Sequence, residues 1–184
     1  MNRLTVSGWL ALAMLAGGCA GPKFAAPKYR ANRAGFAAIH LAAPGKVYVS
    51  PVIERLGEDN RSILSPKFST SAYLTDALEQ ELTAAGVTPL RTPFAVGPGF
   101  AAAQQTIAAQ ANPQEAAVYV ISEVRWFGPV KVTLDAKLYS PSGRILFEKR
   151  GLCILLYAGA TSQTMTQMAL RQIIADPAFQ KAVQ

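Results

Sequence analysis

The segment Lys131–Tyr139 (KVTLDAKLY) alternates strictly, and that alternation constrains the fold more than any other feature of the chain. Val132, Leu134, Ala136 and Leu138 fall on one side of an extended strand, and Lys131, Thr133, Asp135 and Lys137 on the other. A side-chain period of two fits a strand with one buried face and not a helix. Gly128 and Pro129 precede the segment and Ser140-Pro-Ser-Gly143 follows it, both turn-forming. Ala117–Phe127 (AVYVISEVRWF) before the first turn is equally strand-like, with Val118, Val120, Val124 and Trp126 on one face. Residues 144–150 (RILFEKR) return after the second turn. Short turns join antiparallel neighbours, so the three strands predict a meander with one wetted face.

The rest of the chain supplies cover for that sheet. Residues 46–53 are β-branched and aromatic and predict a first strand, with Pro51 marking an edge or bend. Residues 54–66 are polar, with Gly57, Asp59 and Asn60, and predict a loop. Leu74, Ala77, Leu78, Leu82 and Ala85 fall on one helical face and Asp76, Glu79, Gln80 and Thr83 on the other. With hydroxyls at 69–71 to cap it and Gly86 to end it, this predicts a helix over 70–85. A short strand at 87–90 and an Ala- and Gln-rich helix at 100–111 follow. Gly151 interrupts the pattern, and residues 152–157 are either a buried final strand or an exposed apolar segment. Thr161 or Ser162 caps a last helix bearing Met165, Met168, Ala169, Gln172 and Ile173, with Pro177 opening a terminal turn. The expected class is α+β: a mainly antiparallel sheet with helices packed on one face.

The first residues carry an address. Arg3 and the amino terminus are followed by an apolar run over 4–15, then Ala16, Gly17, Gly18 and Cys19. A bilayer core of roughly 30 Å needs ~20 apolar residues, so the run is too short to span it and has the layout of a secretory signal. The stretch ending in Cys19 resembles the lipobox of bacterial lipoproteins, with Ala16 where that family favours leucine. The resemblance implies a signal peptide over 1–18, cleavage before Cys19 and acyl chains, palmitate among them, on Cys19 as the lipid attachment site. The alternative is an ordinary secretory signal cut after Ala20. Ala20, not aspartate, follows the cysteine, which by the enterobacterial pattern implies the outer membrane, on its periplasmic face.

Charge divides the chain in two. Lys23, Lys28, Arg30, Arg33 and Lys46 lie between Cys19 and the first strand with no acid among them, whereas from Val47 onward twelve basic side chains face eleven acidic ones. Most of the net charge of +7 therefore comes from before Val47, which predicts a basic flexible tether over 19–45 to the single domain over 46–184. A near-neutral domain without a basic stripe argues against nucleic acid as partner. Cys153 is the one cysteine besides Cys19, so no disulfide forms within the domain, and its apolar neighbours predict a buried thiol.

Chemistry is sparse. The single histidine, His40, lies in the tether, and no nucleophile elbow, phosphate loop or paired Cys/His metal spacing accompanies it. Glu58 and Asp59 fit a solvated turn, and Glu79 and Glu81, two apart on a helix, point to different faces. The expectation is a chain that is not an enzyme and takes no cofactor or metal. Residues 119–124 (YVISEV), 132–139 (VTLDAKLY) and 142–147 (SGRILF) together resemble a group of envelope domains. The group comprises the amino-terminal domain of TolB, the curli-secretion lipoproteins, the lipoprotein activators of penicillin-binding proteins and the polysaccharide-export lipoproteins. The likeness covers residues 46–184 by element order and departs from the group at 54–66 and 152–157. It implies a scaffold or accessory role in envelope assembly or export, through contacts with envelope proteins or as a homo-oligomer. Trp126, Phe127, Leu152, Ile154, Leu155 and Tyr157 are the candidate partner-binding residues. A periplasmic lipid- or small-molecule-binding lipoprotein is the alternative, and it requires an apolar cavity of roughly 300 Å³ or more between sheet and helices.

Overall fold

Six strands share one sheet in the computed structural model, which describes residues 23–32, 36–41, 45–156 and 160–184. The strands are β1 (Lys46–Val49), β2 (Ile53–Glu54), β3 (Pro89–Arg91), β4 (Ala117–Phe127), β5 (Lys131–Tyr139) and β6 (Ile145–Leu155). The helices are α1 (Glu58–Ile63), α2 (Thr70–Ala84), α3 (Phe100–Gln110), α4 (Ser162–Ile174) and α5 (Pro177–Val183). The sheet order is β3-β1-β4-β5-β6, with β2 pairing beyond β1 along β4. β4, β5 and β6 form the expected antiparallel meander, while β1 is parallel to both β3 and β4. The parallel half arises because α2 and α3 are the crossovers from β1 to β3 and from β3 to β4.

The α+β class expected from the pattern is the class observed, and the helix over 70–85 forms nearly as predicted. Ser69 accepts the Ala72 N–H at 3.1 Å as its N-cap, and Gly86 ends it at φ +92°. Leu74, Ala77, Leu78, Leu82 and Ala85 are all buried against Val118, Val120, Leu134 and Leu138. α4 covers the same face through Met165, Ala169, Leu170 and Ile173, with Thr161 capping its first turn. The methionine at 165 is therefore core. One helix departs from the one-face arrangement. α3 lies on the opposite face, where Ala103 and Ile107 pack on Tyr119, Ile121 and Tyr139. Successive crossovers that pass β1 on either side place their helices on either face, and α3 is the second of them. The face expected to be wetted is thus partly covered, and Asp135 and Lys137 on it are buried.

Two of the sheet's three register shifts, those beside Asp135, reset which residues face the core at that end. Val124 pairs with Leu134 but Trp126 pairs with Thr133, so Arg125 is an extra residue in β4. The extra residue turns Phe127 inward and Trp126 to the other face, the reverse of simple alternation. In β6 the extra residue falls at Gly151, whose φ is +64°, and the strand continues through it instead of breaking there. Asp135 on the strand between holds both bulges: its carboxylate accepts the Arg125 Nε–H at 2.5 Å and the Gly151 N–H at 2.6 Å. A Cβ at Gly151 would meet no atom within 4 Å, so Gly151→Ala tests the backbone alone. A non-glycine residue in this conformation costs about 1–2 kcal/mol, and urea unfolding of the variant is expected to show a loss of that order. Gly57→Ala, equally open but at φ −67°, is expected to change stability by only a few tenths of a kcal/mol, because the N-cap preference for glycine over alanine is offset by the lower entropy of the unfolded chain.

The polar stretch 54–66 contains a short helix where a loop was expected. Asn60 on α1 is fully buried and pairs twice with the backbone of Phe127, donating to its carbonyl at 2.7 Å and accepting its N–H at 2.8 Å. The amide side chain thus continues the hydrogen bonding of β4 past its last strand partner and fixes α1 at the end of the sheet.

Candidate functional site

The described residues that the sequence assigns to the flexible tether are packed on the domain: Lys23 and Phe24 lie on α1, and residues 29–32 and 36–41 lie along the α2–α4 surface. Tyr29 is 1% exposed, and its hydroxyl donates to Glu81 at 2.6 Å. Glu81, 2% exposed, also accepts from Gln167 Nε2 at 3.0 Å and Arg171 Nε at 2.8 Å. Gln80 accepts the Ala31 N–H, Arg171 reaches the Ala37 carbonyl, and the Arg171 guanidinium sits 4.8 Å from the centre of the Phe36 ring. Burial first, then the hydrogen bond to Glu81, raises the Tyr29 phenol well above its ordinary value. Glu79, two residues from Glu81, points away and pairs with Arg91 at 2.5 Å, so the two carboxylates face different ways as the helix geometry requires. Glu81 is a buried ion pair with a structural task.

Two other buried carboxylates are likewise engaged. Asp135 holds the bulges described above. Glu123, 4% exposed, accepts the Phe100 N–H at 2.9 Å and so occupies the start of α3, with Arg55 Nε at 3.9 Å. Among the described residues no group of three or more His, Cys, Asp or Glu could hold a metal ion. A recess of about 620 Å³ lies at the carboxyl ends of β1 and β3, lined by Pro51, Ile53, Phe94, Val96 and Pro98. It opens at the surface. The space between sheet and helices, where a ligand cavity was expected on the alternative reading, is occupied by Leu74, Leu78, Leu134, Leu138 and Met165.

The candidate partner-binding residues divide when placed in the structure. Phe127 and Ile154 are corrected to core: Phe127 is fully buried and Ile154 is 8% exposed. Phe127 is inward because of the Arg125 bulge, and its ring lies 5.2–5.9 Å from those of Tyr73, Phe68 and Phe24. Ile154 faces the helices because the Gly151 bulge resets the alternation of β6. The same shift exposes Cys153, which was expected to be buried. Leu152 is partly buried against the core and Trp126 is half-buried with the Lys131 ammonium 4.2 Å from its ring centre. Leu155 is 62% exposed, as a docking residue must be. Tyr157 and the lipid attachment residue Cys19 lie outside the described residues.

Two more exposed residues lie beside Leu155: Leu156, within the apolar run 152–157, and Val130, which the sequence does not single out. Val130 and Leu156 are each 50% exposed, and the Leu156 N–H donates to the Val130 carbonyl at 2.7 Å. Val130 follows a Gly-Pro turn and Leu156 ends an apolar run, but only the pairing of β5 with β6 brings them together. Pro129 beside them is also exposed. This apolar tip, at the end of the sheet where β4 finishes and β5 begins, is the candidate functional surface. Among the described residues, no helix is long and apolar enough to cross a membrane.

No protein-family model matches the chain, and no curated protein matches it. Solved structures do. The PelC dodecamer from Paraburkholderia phytofirmans matches at a TM-score of 0.51 and 14% identity, over 76% of this chain and 92% of that chain. This likeness shows a shared fold. A variant PelC dodecamer from the same organism matches at 0.49 and 11% identity, over 79% of this chain and 95% of that one. A lipoprotein from Neisseria meningitidis matches at 0.44 and 14% identity, over 73% and 97%.

Proposed function

We propose that the chain is a non-catalytic lipoprotein, acylated on Cys19 and held at the periplasmic face of the outer membrane, whose domain is a scaffold or accessory factor in envelope assembly or export. It works by joining copies of itself or envelope proteins. The observation that carries this reading is the fold shared with a protein that forms a dodecamer. A fold alone does not fix a function, so the local chemistry matters too. The buried carboxylates Glu81, Glu123 and Asp135 are all taken up by hydrogen bonds to the protein's own groups. β6 ends the sheet order, and a strand in that position offers one row of backbone groups to a neighbour. The likeness of element order to the TolB amino-terminal group leads to the same expectation of action by contact.

The test is the mass of the processed protein, measured by light scattering in a mild detergent and, in cells, by crosslinking followed by identification of what is captured. The expected result is a discrete multiple of the protomer mass or a defined envelope partner. A protein that stays monomeric at every concentration and crosslinks to no envelope protein overturns the reading.

A further inference from the structure

We propose that the apolar tip of the domain rests in a lipid surface, so that the protein lies on its membrane in one fixed orientation. The proposal rests on the acylation of Cys19 put forward above. Val130, Leu155 and Leu156 are the three most exposed of the large apolar side chains described, and they sit together. Leu155 pairs across the sheet with Lys131, the residue after Val130, and Leu156 bonds to Val130 itself. Single exposed apolar side chains are ordinary on any protein, whereas a cluster at one end of a sheet marks a contact.

The path of the chain says which contact. Phe24 donates its N–H to the Ile63 carbonyl at 2.7 Å, and the Lys23 ammonium is held on the Ser62 carbonyl. Both acceptors belong to α1, which Asn60 ties to Phe127 at the tip. Lys23 therefore leaves the domain at the same end of the sheet as Val130 and Leu156. Cys19 is four residues upstream, and four residues of fully extended chain span at most about 14 Å. Acyl chains on Cys19 buried in a bilayer hold this end of the sheet within that reach of the headgroups. The turn at Ser140–Gly143 lies at the other end of β5, and a nine-residue strand is about 30 Å long, beyond the reach of the anchor. The rim suits an interface. Lys131 lies over Trp126, and Lys23 and Arg61 flank the tip, with Glu58 and Asp59 as the acids on α1. Tryptophan and lysine beside an apolar wedge are the side chains that settle at the headgroup level.

The experiment uses the processed, acylated protein reconstituted into vesicles of phosphatidylethanolamine and phosphatidylglycerol. An environment-sensitive fluorophore is attached at Leu156→Cys or, as the distant control, at Ser142→Cys, each with Cys153→Ser. Both positions are exposed, so the labels leave the core intact. The expected result is a blue shift and quenching by a bilayer-resident quencher at 156, with neither at 142. A label at 156 as water-exposed on vesicles as that at 142, on protein whose mass shows acylation, overturns the tip and leaves the anchor standing. A mass without acyl chains on Cys19 overturns both. A label at 156 already shielded in detergent, in protein that is oligomeric there, assigns the tip to a second copy and also overturns the proposal.

Discussion

Glu81→Ala is expected to cost about 3–5 kcal/mol of stability, the range for removing one partner of a buried ion pair. The loss has three sources. Arg171 is left with an unpaired guanidinium whose side chain is 11% exposed. The Tyr29 hydroxyl and the Gln167 amide each lose an acceptor in a buried site. Residues 29–32, which reach the helices through these groups, lose their central tie. Urea unfolding measures the first two, and hydrogen exchange at Ala31, whose N–H bonds to Gln80, measures the third. Glu81→Gln keeps one acceptor oxygen, turns the other into an amide donor and removes the charge, so it is expected to fall between wild type and alanine. A variant as stable as wild type would mean that the pair contributes nothing. The same site sets a pH dependence. The Tyr29 phenol is raised in the folded protein above its ordinary value of 10.0, and Tyr73 is pushed up to about 12, both chiefly by burial. Groups raised on folding contribute stability that is fully present below their unfolded value and lost as pH rises through the folded one. Stability is therefore expected to hold to about pH 10 and fall above it.

Strands and helices were legible because they depend on local order along the chain. The alternation of β5 placed Val132, Leu134, Ala136 and Leu138 inward, where they are. The apolar spacing of α2 placed Leu74 through Ala85 on the core. What the pattern could not show is what arises from pairing. Arg125 carries no mark of being an extra residue, and only the register against β5 makes it one. One inserted residue exchanges the faces of Trp126 and Phe127, because a strand's side chains alternate with period two. Gly151 was recognisable as an interruption, but whether it ended a strand or bent one depended on Asp135, sixteen residues away. Asn60 had the composition of a turn residue, and its task as a mimic of a strand partner exists only once β4 ends beside it. Glu81 lies in the sequence among residues of the polar face, and only docking of Tyr29, fifty-two residues earlier, closes over it. Of the candidate surface, Leu155 was legible as an apolar residue in a final run. Val130 and Leu156 became part of it through a hydrogen bond between two elements.

That distinction has a large energetic consequence at Phe127. Truncating a buried phenylalanine to alanine costs about 3–5 kcal/mol, from lost transfer energy and the cavity left behind. Phe127→Ala is expected in that range, because the ring is fully buried and lies against Phe24, Phe68 and Tyr73. The backbone pairing of residue 127 with Asn60 does not need the ring, so the end of β4 should persist and the cavity should appear within the aromatic cluster. Its three aromatic neighbours come from different parts of the chain: the segment before β1, the loop before α2, and α2 itself. Loss of the ring should therefore weaken the seat of Phe24 and, through it, the exit of the chain at the tip. Leu155→Ala, only two strand pairs away, is expected to change stability by no more than about 0.5 kcal/mol, as for an ordinary surface substitution. Chemical denaturation of the two variants side by side reads both numbers. Equal losses would mean that Phe127 is not inward, and with it the bulge at Arg125 that turns it there would be wrong.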